Sequence, residues 1–111
     1  MSGRHLEVDR ELLAEVVSRI RATAEPDRII LFGSAATGDM GKNSDLDILV
    51  LMDGPENPRR ESVRIRSGLG DLGWPIDVLV MDTARFDETR EIVGGLAYPA
   101  HRYGKVLYAL S

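Results

Sequence analysis

Two aspartates two positions apart, Asp45 and Asp47, head the most apolar run of the chain, SDLDILVL. A Gly33-Ser34 pair closes the apolar run before it, and the whole stretch reads LFGSAATGDMGKNSDLDILVL. Alternate residues of a strand share a face, so the two carboxylates stand side by side where a sheet would otherwise be covered. Carboxylates in that position are costly to desolvate without a positive partner. A divalent metal carrying a nucleoside triphosphate answers that need, because Mg²⁺ takes one or two carboxylates and completes its shell with phosphate oxygens. Glycine lets the backbone approach a phosphate, N–H groups at a turn bind anions, and the Ser34 hydroxyl adds a donor.

The elements that must position these residues can be read from periodicity. Leu12, Leu13, Val16, Val17 and Ile20 form one helical stripe, predicting a helix over Asp9 to Ala24 with Pro26 just beyond it. A short strand, Arg28 to Phe32, stops at Gly33, and a brief helical turn over Ser34 to Asp39 precedes a polar loop. Asp45 to Met52 is the strongest strand, apolar on both faces beyond the aspartates, hence central and covered on both sides. Asp53-Gly54-Pro55 breaks it, and a weaker helix is expected over Asn57 to Leu72. A third strand, Ile76 to Met81, places Asp77 near its start. Further expectations are a helix within Thr83 to Ile92, a short helix over Ala97 to Tyr103 stopped by Gly104, and a last strand from Lys105 to Leu110.

The helix between the second and third strands is long enough for a right-handed crossover, so those strands are expected to run parallel. Parallel pairing brings Asp77 beside Asp45 and Asp47. Antiparallel pairing of the first strand with the second brings Gly33-Ser34 to the same end of the sheet. Three carboxylates facing a Gly-Ser turn suit a two-metal clamp, with ions roughly 3.5–4 Å apart, for an in-line phosphoryl displacement.

Composition narrows the alternatives. With 111 residues, 43% of them hydrophobic and 29% charged, the chain is expected to form a single α/β domain over residues 1–111, a mixed central sheet flanked by helices. No apolar run is long enough to span a bilayer and no signal-peptide pattern is read at the N-terminus, so no membrane association and a cytoplasmic location are expected. The absence of cysteine excludes disulfides, thiolate nucleophiles and cysteine-based metal sites. A net charge of −4 with scattered arginines disfavours extended nucleic acid but not a single nucleotide. The one local group, Arg59, Arg60, Arg64 and Arg66, reads as a solvated helix face.

Gly33-Ser34, ten residues, then Asp45-Leu46-Asp47, with Asp77 on a following strand, resembles the signature of the nucleotidyltransferase superfamily typified by DNA polymerase β. The short length resembles its minimal nucleotidyltransferase branch. The resemblance covers the opening helix, FGS, SDLDILV, IDVLV and the closing GKVLY. It implies the polymerase β-like fold. It implies that Gly33 and Ser34 hold the triphosphate, that Asp45 and Asp47 bind Mg²⁺, and that Asp77 completes a site for two ions and orients or deprotonates the acceptor hydroxyl. The implied reaction transfers a nucleoside monophosphate, AMP from ATP, with release of pyrophosphate. Relatives of this size are often antitoxins of HEPN-domain ribonuclease toxins, and some add AMP to a toxin tyrosine. Many relatives carry arginine where this chain has Thr37, which cannot make a bidentate ionic contact; Lys42 offers charge nearby but reads first as a solvated loop lysine.

Other readings stay open beside this one. Taken alone, Asp45 and Asp47 suit solvent-facing strand-start residues, Asp77 a simple strand start, and Ser34 a turn cap. His5 and His101 read as non-catalytic, and Trp74 as a core anchor. A binding antitoxin that masks a ribonuclease without chemistry, and transfer to a small molecule, are the competing functions. Self-association is left open.

Overall fold

The computed structural model describes residues 10–33, 46–95 and 97–110. The described elements run α1 (Arg10–Thr23), β1 (Arg28–Phe32), β2 (Leu46–Met52), α2 (Pro58–Leu69), β3 (Ile76–Asp82), α3 (Thr83–Thr89), α4 (Ala97–Tyr103) and β4 (Lys105–Ala109). The strands form one mixed sheet of order β3-β2-β1-β4. β1 pairs antiparallel with β2 and β4, while β2 pairs parallel with β3. The expected crossover is therefore present, with α2 as its helix, and β2 is an interior strand. The brief turn expected over Ser34 to Asp39 and the loop after it lie outside the described residues.

Strand parity divides the core in two. The even face of β2 and the odd face of β1 pack with α1 and α2, burying Val16, Ile20, Ile29, Leu31, Leu46, Ile48, Val50, Ile65 and Leu69. The opposite face is smaller. Ile30, Leu49 and Leu51 pack there with Phe86 of α3 and with Ala97 and Ala100 of α4. That second face also carries Asp47 and Asp77 by the same parity.

α2 begins at a genuine cap, where the Asn57 side chain accepts a hydrogen bond from the Arg60 N–H at 3.1 Å, with Pro58 at the first position. It ends at Leu69, three residues before the expected Leu72. Gly70 turns the chain with φ of 65°, and two guanidinium groups take the freed carbonyls: Arg19 donates to the Leu69 oxygen at 2.6 Å and Arg66 to the Gly70 oxygen at 3.1 Å. Arg19 comes from a distant helix, which local periodicity cannot register. Trp74, expected as a core anchor, packs half-buried against the larger cluster.

The smaller cluster is held down at one end of the sheet. Arg28 bonds the Asp87 carboxylate at 2.8 and 2.9 Å and lies over the Phe86 ring, 5.5 Å from its centroid. Phe86 is thus the main wedge between α3 and the carboxylate-bearing face. Phe86→Ala is expected to cost about 3–5 kcal/mol through lost burial and a residual cavity, measured by urea unfolding monitored by circular dichroism.

Candidate active site

The sheet registers align the chemistry in rows. Phe32, Asp47 and Asp77 are direct neighbours across β1, β2 and β3; the next row on the same face is Ile30, Leu49 and Leu79. The second row meets the α3/α4 cluster. The first row is less covered: Phe32 and Asp47 are half-buried and Asp77 is exposed. Two carboxylates therefore stand next to each other on an open part of an otherwise packed face. Like charges opposite one another weaken a sheet, and a bound cation offsets that cost.

Gly33 follows Phe32 directly and adopts φ of 73°, in the left-handed region that favours glycine. A Cβ placed there would overlap the Asp47 Oδ2 atom and stand 3.3 Å from its Cγ. The Asp47 carboxylate thus lies against the Gly33 backbone. The strand pair β1/β2 brings the turn and the carboxylate together, and β3 adds Asp77. Of the sequence-predicted residues, Gly33, Asp47 and Asp77 are united. Ser34 and Asp45 lie outside the described residues, as do Thr37 and Lys42.

Among the described residues, no group of three or more histidine, aspartate or glutamate side chains could hold a metal ion. Two adjacent oxygen donors are what the described residues supply, which suits a hard cation that fills its remaining positions with phosphate oxygens and water. On this donor chemistry the residues present fit Mg²⁺.

Two open cavities lie along the sheet, and one of them reaches the site. One, of about 490 Å³, runs between α2 and β3 and is lined by Ser62, Val63, Arg66, Ser67, Gly70, Ile76, Asp77 and Val78. The larger, of about 620 Å³, lies at the opposite end of the sheet around Glu25, Asp27, Asp53 and Tyr108. It contains neither the glycine turn nor the paired carboxylates, so size does not locate the chemistry here. Arg66 was assigned with its neighbours to a solvated face; it is instead half-buried in the groove that reaches Asp77. Its place on the edge of the α2 stripe, one residue from buried Ile65, is the only sequence signal for this.

Residues 10–95 match the family model described as Nucleotidyltransferase domain. The chain belongs to this family. Solved structures share the nucleotidyltransferase fold. A candidate nucleotidyltransferase from Sulfolobus solfataricus is 20% identical with a TM-score of 0.61, covering 89% of this chain and 78% of that one. A toxin–antitoxin structure with AMP-PNP is 20% identical with a TM-score of 0.54, covering 89% and 74%. A mutant of the toxin–antitoxin pair MntA-HpeT, in which two aspartates two positions apart are replaced by glutamate, is 21% identical with a TM-score of 0.58 and the same coverages. A comparison with curated proteins returns no match. Within this nucleotidyltransferase domain, Gly33 is the residue whose side chain is excluded by a carboxylate. Gly33→Ala is expected to add about 1–2 kcal/mol of backbone strain and to displace the Asp47 carboxylate. Pyrophosphate release should fall far more than the melting temperature, a comparison made on one purified sample by coupled assay and thermal unfolding.

Proposed function

We propose that the protein is a Mg²⁺-dependent nucleotidyltransferase that moves AMP from ATP to an acceptor hydroxyl, a tyrosine of a partner HEPN-domain toxin, and thereby acts as an antitoxin. The observation that carries the reaction class is the Asp47–Asp77 pair on one face, with the Gly33 backbone against the Asp47 carboxylate. Family membership supports nucleotidyl transfer. The partner and the nucleotide are supported by the structural neighbours, two of which are toxin–antitoxin structures, one holding AMP-PNP.

Each residue has a distinct task in this reading. Gly33, lacking a side chain, lets the Asp47 carboxylate lie against the turn that holds the triphosphate, and Ser34 donates its hydroxyl to a phosphate oxygen. Asp45, Asp47 and Asp77 hold the metal. Bound Mg²⁺ supplies charge neutralisation on the phosphates. Asp77, exposed at the end of the row, orients the acceptor hydroxyl and takes up its proton. The hydroxyl oxygen bonds to the α-phosphorus, the phosphorus–oxygen bond to pyrophosphate breaks, and pyrophosphate leaves with that electron pair. No co-reactant beyond ATP is needed. Phe32 is the register partner of Asp47 across β1 and β2.

Asp47→Asn keeps the shape and removes the charge. It should lower AMP transfer more than about 10²-fold while leaving the circular dichroism spectrum unchanged, and chelation with EDTA should stop the wild type until Mg²⁺ is restored. The assay is mass spectrometry of the product of a neighbouring gene after incubation with this protein, ATP and Mg²⁺. Full transfer by Asp47→Asn would sink the metal assignment. Growth protection by the same variant would favour steric masking of the toxin instead.

A further inference from the structure

Among the described strands β3 lies at the edge of the sheet, and its outer side carries backbone groups that a further strand could pair with. The Leu46 N–H donates to the Pro75 carbonyl at 2.9 Å, which sets the ladder alternation. Odd residues of β3, including Asp77, direct their N–H and C=O groups toward β2. Ile76, Val78 and Val80 direct theirs outward, away from the described strands. Long edge strands are usually blunted by lysine, proline or a bulge. β3 spans seven residues, IDVLVMD, contains neither lysine nor proline, carries its charges only toward its two ends at Asp77 and Asp82, and pairs with β2 in unbroken register. The other edge strand, β4, has five residues, begins with Lys105, and shows a register shift.

The groove beside this edge reaches the catalytic row. Its walls are α2, through Val63 and Arg66, and β3, through Ile76, Asp77 and Val78; Val63 is 65% exposed. We propose that the acceptor is a polypeptide segment that binds in extended form along the outer edge of β3, placing a hydroxyl side chain beside Asp77. The proposal rests on the nucleotidyl-transfer reading and names how its acceptor is held. A strand added about 4.8 Å beyond β3 continues the row Phe32, Asp47, Asp77 with a residue of the guest. Alternation then sends that guest side chain to the carboxylate face and its neighbours toward α2. There Arg66 favours an acidic residue. A second copy of this chain, laid antiparallel about Leu79, would set Asp77 against Met81 and Ile76 against Asp82; it has no basic residue on its own β3 to answer Asp77, and it is the competing occupant that the sedimentation measurement below tests.

Proline is tolerated on an edge strand where its nitrogen faces outward, so Val78→Pro removes one outward donor without breaking the β2 ladder. Arg66→Glu reverses the groove charge. The probe is a fluorescein-labelled random copolymer of glutamate and tyrosine, titrated by anisotropy into the full chain. Wild type should bind it, and each variant should bind about tenfold more weakly with ATP affinity unchanged. In residue-resolved amide exchange, the probe should slow Ile76, Val78 and Val80, while Asp77, Leu79 and Met81 are slow with or without it. The proposal is overturned if wild type does not bind the copolymer, if all three proteins bind it alike, or if the outward amides are unaffected. It is also overturned if sedimentation shows a wild-type dimer that Val78→Pro disperses. Loss of ATP-dependent transfer with strand addition intact would instead defeat the nucleotidyl-transfer reading alone.

Discussion

The register of β2 between its two neighbours is the constraint from which the site follows. A slip of one residue against β1 would turn Asp47 toward α1 and α2, into a cluster with no polar partner for it, and would bring an apolar side chain to the glycine turn. The penalty is large because β2 is buried on both faces. Packing that looks purely structural, such as Leu46, Ile48 and Val50 beneath the two long helices, therefore fixes which face receives the carboxylates. The parallel register with β3 then sets Asp77 without any contact of its own to the core.

The two faces differ in a way that matters for chemistry. The larger cluster, under α1 and α2, carries most of the buried apolar residues. The smaller one, under α3 and α4, has six buried members and leaves the Phe32–Asp47–Asp77 row less covered. A domain this small can leave part of a face open because the other face supplies most of the burial.

Much of this was legible in the sequence because it depends on parity and on chain direction. The alternation in SDLDILVL fixed a face for Asp47, and a helix-length crossover implied the parallel neighbour that carries Asp77. β1 was read with its observed bounds, Arg28 to Phe32, and α4 likewise as Ala97 to Tyr103. The early end of α2 was partly legible, since Gly68 and Gly70 weaken its second half in the sequence and Gly70 is the residue that caps it; the Arg19 bond to the Leu69 carbonyl, which comes from another helix, was not. Nor was the role of Arg66, since a guanidinium on a helix flank reads the same whether it faces water or a groove. The contact that excludes a Cβ at Gly33 is a matter of a side-chain rotamer across two strands, which spacing alone does not specify.

Three polar ties gather at the end of the sheet away from the paired carboxylates. Thr83 donates to Asp27 at 2.6 Å, Gly54 to Asp82 at 2.7 Å, and Arg28 to Asp87 at 2.8 Å. Asp82 serves twice, since its other oxygen accepts from the Arg85 N–H and caps α3. Long-range clasps thus join strand ends to α3 at the pole opposite the chemistry. Swinging α3 away from the sheet therefore breaks the Thr83–Asp27 and Arg28–Asp87 bonds together, so the helix that covers the smaller cluster is held as one body with the strand ends.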